Sequence, residues 1–296
     1  MTNQARVRSP WSQLSLFFGL AGATLIIFAI EQLIVYLAAG VNAKAGAVQV
    51  DLLPIGTVKL LQLMFSLTVF GLTGYLYAVV SFRKEPGYQL GLRPAAKSIY
   101  FLMAVCLLLF SFPLEEWLGA INKQIPLAQW MVRTQQENDR QVETFLKVRH
   151  VYDPVVNLLI MAAIPAFCEE LCFRGALQRI LIQICRRAWA GILLAAFLFS
   201  FLHFEFEGFL PRFFLGILLG AAYWYSGSLW VAVVAHFIFN AVQIVVAMYN
   251  PAVLGKTDPV SGLTWGIAVL LSIVIVVGLL VRMRRLSTVT YSGVYD

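Results

Sequence analysis

Charge is what this sequence has least of. Only 12% of its 296 residues are Asp, Glu, Lys or Arg, against 60% hydrophobic residues. Soluble domains carry about 25% charged residues, so a water-soluble fold is excluded and an integral membrane protein is expected. Histidine is scarcer still, with only His150, His203 and His236 in the chain. The four cysteines, Cys106, Cys168, Cys172 and Cys185, fall in or beside apolar runs and read as small hydrophobes, not as a disulfide framework. Cys168 and Cys172 stand one helical turn apart, but no CxxC or other zinc-type Cys/His cluster accompanies them. No internal repeat is visible. The net charge of +7 is no nucleic-acid footprint, because the basic residues sit in short loops beside apolar spans.

What is abundant is long apolar runs. Eight can be read as membrane helices: Ser12–Ala39, Ile55–Phe82, Ile99–Leu118, Pro154–Ile184, Trp189–Phe206, Phe209–Tyr225, Leu229–Met248 and Leu263–Val281. The first is too long for a signal-peptide core and lacks a cleavage site, so it reads as a retained span. The tail with Arg6 and Arg8, the Arg83–Lys97 loop, the Arg186-Arg187 turn and the Arg282–Arg285 end fall on one side of such a bundle. The expectation is therefore an all-α, multi-pass bundle of about eight helices with both termini cytosolic, in what reads as a bacterial cell membrane. Four segments organise it: helices 1–3 over residues 1–120, a polar connector over 121–153, a core over 154–250, and a final helix with a short tail over 251–296. Trp130, Met131, Phe145, Leu146 and Val148 make the connector amphipathic, which fits a cap over a cavity and a plain surface helix equally. Gly216 and Gly220 form a small-xxx-small seam suited to close helix packing.

Against this background, Cys168-Glu169-Glu170-Leu171-Cys172-Phe173-Arg174 is costly. A charged residue at the centre of a membrane helix costs about 2.5–3.5 kcal/mol even on the lenient insertion scale. Glu170 and Arg174 are i, i+4 and can pair, whereas Glu169 points about 100° away and has no local partner. Glu169 therefore reads either as a general base or as a structural residue near an ion pair. A second acidic pair, Glu115-Glu116, follows Pro113 with no basic residue at i+4, and reads as interfacial. His203 and His236 lie inside spans, one turn from Phe199 and Asn240 respectively. These groups are too costly to face lipid, so they should converge on one interior cavity. A base, an imidazole and a side-chain amide are the parts needed for water attack on a carbonyl with support of the oxyanion.

Glu169-Glu170-x-x-x-Arg174, Phe199-x-x-x-His203 and His236-x-x-x-Asn240 together resemble the three motifs of the CAAX protease and bacteriocin-processing superfamily, also called the ABI family. It includes type II CAAX prenyl endopeptidase and relatives of the lysostaphin-resistance protein. The resemblance covers roughly residues 154–250, and Gly175 and Gln178-Arg179 fit it too. It implies an intramembrane endopeptidase acting on a membrane-associated peptide or lipidated protein. Glu169 would activate water with His203, His236 and Asn240 would line the oxyanion side, and Glu170 and Arg174, with Phe199 beside them, would fix the helix. No cofactor is expected; a zinc-dependent reading exists for a Glu/His set, but no His-Glu-x-x-His is present. Two other classes stay open. One is a non-catalytic protein of the same fold, in bacteriocin immunity or scaffolding. The other is an ion-coupled transporter, which would ask for the inverted repeats that are missing here.

Overall fold

The computed structural model describes residues 9–39, 53–82, 84–146, 150–250 and 262–295. The tail with Arg6 and Arg8, Arg83, Lys147, Val148 and the Pro251–Pro259 loop lie outside these residues. Among the described residues nine main helices follow in order: α1 (Pro10–Ala38), α2 (Ile55–Ser81), α3 (Ile99–Asn122), α4 (Gln129–Leu146), α5 (Asp153–Cys185), α6 (Ala188–Phe201), α7 (Phe209–Ser226), α8 (Leu229–Tyr249) and α9 (Leu263–Leu286). Among the described residues there is no strand. The protein is an integral, multi-pass helical bundle.

Six of these helices, α1, α2, α3, α5, α8 and α9, are long and apolar enough to cross a membrane. The other two of the eight expected spans differ. α6 stops at Phe201, five residues early, and has only 14 residues. At 1.5 Å per residue that is about 21 Å, short of a hydrocarbon core about 30 Å thick. α7 has 18 residues but carries Pro211 and Arg212 in its first turn.

α3 shows how an irregular backbone is tolerated in such a setting. Pro113 cannot donate a backbone hydrogen bond, and α3 breaks into Ile99–Leu109 and Phe112–Asn122. With no water to turn to, a freed carbonyl must find an internal donor. The hydroxyl of Ser272 on α9 donates to Phe110 O at 2.7 Å.

The two ends of the bundle are different. At one end Arg93 Nε donates to Gly227 O at 2.8 Å, Leu229 N to Gly91 O at 2.7 Å, and Lys97 Nζ to Leu286 O at 3.5 Å. The basic loop after α2, the α7–α8 turn and the end of α9 are thus gathered together. Gly227, at φ 66°, closes that turn in a conformation that suits glycine. At the other end α4 lies across the bundle, with Phe145 and Leu146 buried. Asn157 Nδ2 donates to Phe145 O at 2.9 Å, and Trp130 meets Phe206 edge to face. α4 also turns Asn138, Gln141, Val142 and Phe145 toward an internal cavity.

α5 is the axis. It is the longest helix, and it contains two π-helical stretches, Leu159–Ala163 and Leu171–Gln178. A third, Ser66–Leu72, lies in α2. Widened turns of this kind recur at functional sites. Here one begins directly after Glu170 and packs against the other two helices that carry the motifs. Small residues permit close packing around it: a Cβ on Gly74 of α2 would stand 3.2 Å from Cys172 N of α5, and one on Gly216 of α7 would stand 2.9 Å from Ala196 Cβ of α6.

Candidate active site

The structure brings Glu169, Glu170, Arg174, Phe199, His203 and His236 into one network. Arg174 is 1% exposed and Glu170 fully buried. Arg174 Nη1 donates to Glu170 Oε1 at 2.8 Å, and Nη2 donates to Gly216 O of α7 at 3.2 Å. One turn on, Gln178 Nε2 donates to Gly220 O at 3.1 Å. The glycine seam therefore does more than allow packing: it bares two carbonyls, one turn apart, to two side chains with the same spacing. The Arg174 guanidinium also lies 4.3 Å from the centre of the Phe199 ring. A buried cation is thus neutralised, hydrogen-bonded and covered by an aromatic face, as burial demands.

His236 links this pair to the cavity. Its Nδ1 lies 3.0 Å from Glu170 Oε1, and its Nε2 lies 4.0 Å from Glu169 Oε2. His203 follows the same plan. Its Nδ1 is 2.6 Å from Phe199 O, and its Nε2 is 3.8 Å from Glu169 Oε2. A carbonyl or carboxylate oxygen only accepts, so each Nδ1 carries the proton in the neutral ring and each Nε2 presents a lone pair. Two accepting nitrogens therefore face one accepting carboxylate oxygen. At 3.8 and 4.0 Å they are too far for direct hydrogen bonds but suitably placed for a bridging water.

These groups open on a cavity of about 700 Å³. Its lining includes Glu169, His203, His236 and Asn240, together with Phe65 and Phe70 of α2, Asn138 and Gln141 of α4, and Arg212 of α7. Phe204, just after His203, has φ 53°, an unusual conformation for a bulky residue. One side chain of α3 holds the loop at two points: Asn122 Nδ2 donates to Phe206 O at 2.7 Å, and Leu210 N donates to Asn122 Oδ1 at 2.8 Å. Among the described residues, no group of three His, Cys, Asp or Glu is gathered closely enough to hold a metal ion. Cys168 and Cys172 are buried free thiols.

One expectation needs correction. Glu115 and Glu116 are not an interfacial pair at a helix end. α3 continues to Asn122, Glu116 is exposed, and Glu115 is only 8% exposed and lines the same cavity as Glu169. The physical reason is the position of Pro113 at the start of a second helical segment, where proline is well tolerated, so that it begins a helix instead of ending one. The signal was present in the sequence: Phe112, Glu115 and Gly119 share a face. In the structure Phe112 stacks on Phe239 with ring centres 4.6 Å apart, and Gly119 faces Pro211.

Comparison with known proteins agrees with this geometry over the core. Residues 152–242 match the family model described as type II CAAX prenyl endopeptidase Rce1-like. The match covers helices α5–α7 and the first part of α8, less than half of the chain. One similar curated protein is the uncharacterized protein YpbD of Bacillus subtilis (strain 168), 32% identical over 92 residues. The aligned stretch is 30% of this chain and spans 44% of the length of that relative. No solved structure matches.

Proposed function

We propose that the protein is an intramembrane endopeptidase of the CAAX prenyl protease type, hydrolysing a peptide bond in a membrane-associated peptide or lipidated protein. The observation that carries the reading is the Glu169 carboxylate, faced by two imidazole Nε2 atoms within a cavity inside the bundle. A water between Glu169 and His203 donates one proton toward the carboxylate and is oriented by the imidazole. As its oxygen attacks the carbonyl carbon, its proton passes to Glu169. The developing oxyanion takes a hydrogen bond from the Asn240 amide. Collapse breaks the C–N bond, and Glu169 returns its proton to the leaving nitrogen, giving a carboxylate and an amine. His236, whose Nδ1 is committed to Glu170, can donate to the oxyanion only when doubly protonated, so Asn240 is the more direct donor. Glu170 and Arg174 act as the frame.

The reading is metal-free. Glu169 and the two histidines supply base and orientation by themselves, and no step requires a Lewis acid. The test is cleavage of S-farnesylated and S-palmitoylated peptides by detergent-purified protein, before and after prolonged chelation. Turnover that survives chelation and disappears in Glu169→Gln is expected. Chelator-sensitive turnover restored by zinc would overturn the metal-free assignment, and absence of cleavage in every arm would overturn the peptidase reading.

A further inference from the structure

Four residues lining the cavity are Asp, Glu, Lys or Arg: Glu115, Glu169, Glu205 and Arg212. Glu205 is paired with Arg212. Glu169 shares the proposed attacking water with His203 and His236. That leaves Glu115, which is more than nine-tenths buried and whose neighbour is the Ser111 hydroxyl.

Ser111 cannot satisfy the ionised carboxylate. A serine has one hydroxyl proton, and Ser111 Oγ is within reach of two acceptors, Glu115 Oε1 and Leu108 O, the latter at 2.7 Å. A donation to either leaves the other without it. A buried carboxyl short of donors is costly, and in a membrane protein such a residue is a candidate functional site.

Its position is informative. Phe112, one turn before Glu115, stacks on Phe239, and Phe239 lies between His236 and Asn240 on α8. Glu115 is therefore on the wall that carries the oxyanion-side residues, and it is separate from the Glu169 network. Glu115 and Asn240 line the same cavity, so a substrate carbonyl and a neighbouring side chain can be held there together.

We infer that Glu115 forms a specificity subsite for a basic side chain, a lysine ammonium or arginine guanidinium, close to the bond that is cut. The cation supplies the donors that Ser111 cannot, and charge-assisted hydrogen bonds of this type are the strong ones. The inference rests on the peptidase reading for its substrate, but its test does not depend on turnover.

The experiment measures binding of fluorescent S-farnesylated heptapeptides to the Glu169→Gln protein. The peptides are identical except for lysine, norleucine or glutamate, placed at one position at a time. At one position lysine should bind at least about tenfold more tightly than norleucine, the scale of one charge-assisted hydrogen bond. Adding Glu115→Gln, which keeps size and polarity but removes the charge, should erase that ratio. Glu115→Asp should keep a reduced preference, and Glu116→Gln, on the exposed side, should leave it intact. Equal affinities for lysine and norleucine at every position, no binding by any peptide, or a Glu115→Gln protein that retains the ratio would each overturn the subsite. If the lysine preference holds but the wild-type protein cleaves none of the peptides, the subsite stands and the peptidase reading falls.

Discussion

His236 Nδ1 and Arg174 Nη1 meet at one atom, Glu170 Oε1, at 3.0 and 2.8 Å. That oxygen ties α8 to α5 and leaves the two adjacent glutamates with different work. Glu170 is sealed inside the bundle, whereas Glu169, one residue away, opens on the cavity. A difference of about 100° around one helix separates a carboxylate sealed in the bundle from one that lines the cavity.

Glu169→Gln preserves shape and removes the base. Hydrolysis should fall by at least about 10²-fold, the lower end for general-base catalysis. His203→Ala should fall by a similar amount, with both proteins eluting normally on size exclusion. Either variant retaining activity within a few-fold of wild type would remove that residue from the mechanism.

Asn240→Ala tests the oxyanion side. Loss of one such donor typically costs about 10²–10³ in turnover, and peptide affinity should change little. The readout is the split between kcat and KM. A rise in KM at unchanged kcat would mean that Asn240 binds ground-state substrate and does not stabilise the transition state.

Arg174→Ala should be read first as a stability variant. It strands Glu170 in the interior, and breaking a buried pair typically costs about 3–5 kcal/mol. Thermal unfolding in detergent should show a clear drop in midpoint, accompanied by lost activity. Arg174→Lys should not restore it, because one ammonium cannot reproduce the planar reach to both Glu170 and Gly216 together with the contact on Phe199. Wild-type stability in Arg174→Ala would contradict the framing role.

Gly191→Ala tests the α5–α6 corner. A Cβ there would stand 2.5 Å from the backbone nitrogen of Ile182 and 2.7 Å from its Cα, and backbone atoms have little room to yield. Overpacking of this kind costs about 1–3 kcal/mol. Lower thermal stability is expected, together with reduced activity, because α6 carries Phe199, whose carbonyl holds His203 just past the helix end. Unchanged unfolding would mean that the corner is looser than the structure has it.

The parts of the site that were legible in the sequence are those whose cost leaves few choices. Glu169, Glu170 and Arg174 in an apolar run had to find an interior, and His203, His236 and Asn240 recur at helical spacing on separate spans. The bundle followed from the apolar runs themselves. Other features had no signal in composition or spacing. The π-helical turns of α2 and α5 depend on which helices press together, and the early end of α6 depends on how Asn122 and Ser200 hold the next loop. The burial of Glu115 is hidden in the sequence because Pro113, a common signal of a helix end, opens a second helical segment here. The carbonyl partners of Arg174 and Gln178 were also out of reach, since nothing in the Gly216/Gly220 spacing says which side chains will lie opposite.

The Arg174 network also sets an order of assembly. Its partners are Glu170 on its own helix, Gly216 on α7, the Phe199 ring on α6 and, through Glu170, His236 on α8. During synthesis α5 emerges before any of the other three. Left alone in lipid it would carry Glu169, Glu170 and Arg174 at about 2.5–3.5 kcal/mol each. The Glu170–Arg174 pair relieves part of that cost within α5, Phe199 and Gly216 add to that relief, and the network is complete only when the chain has been made as far as His236, 66 residues beyond Glu170.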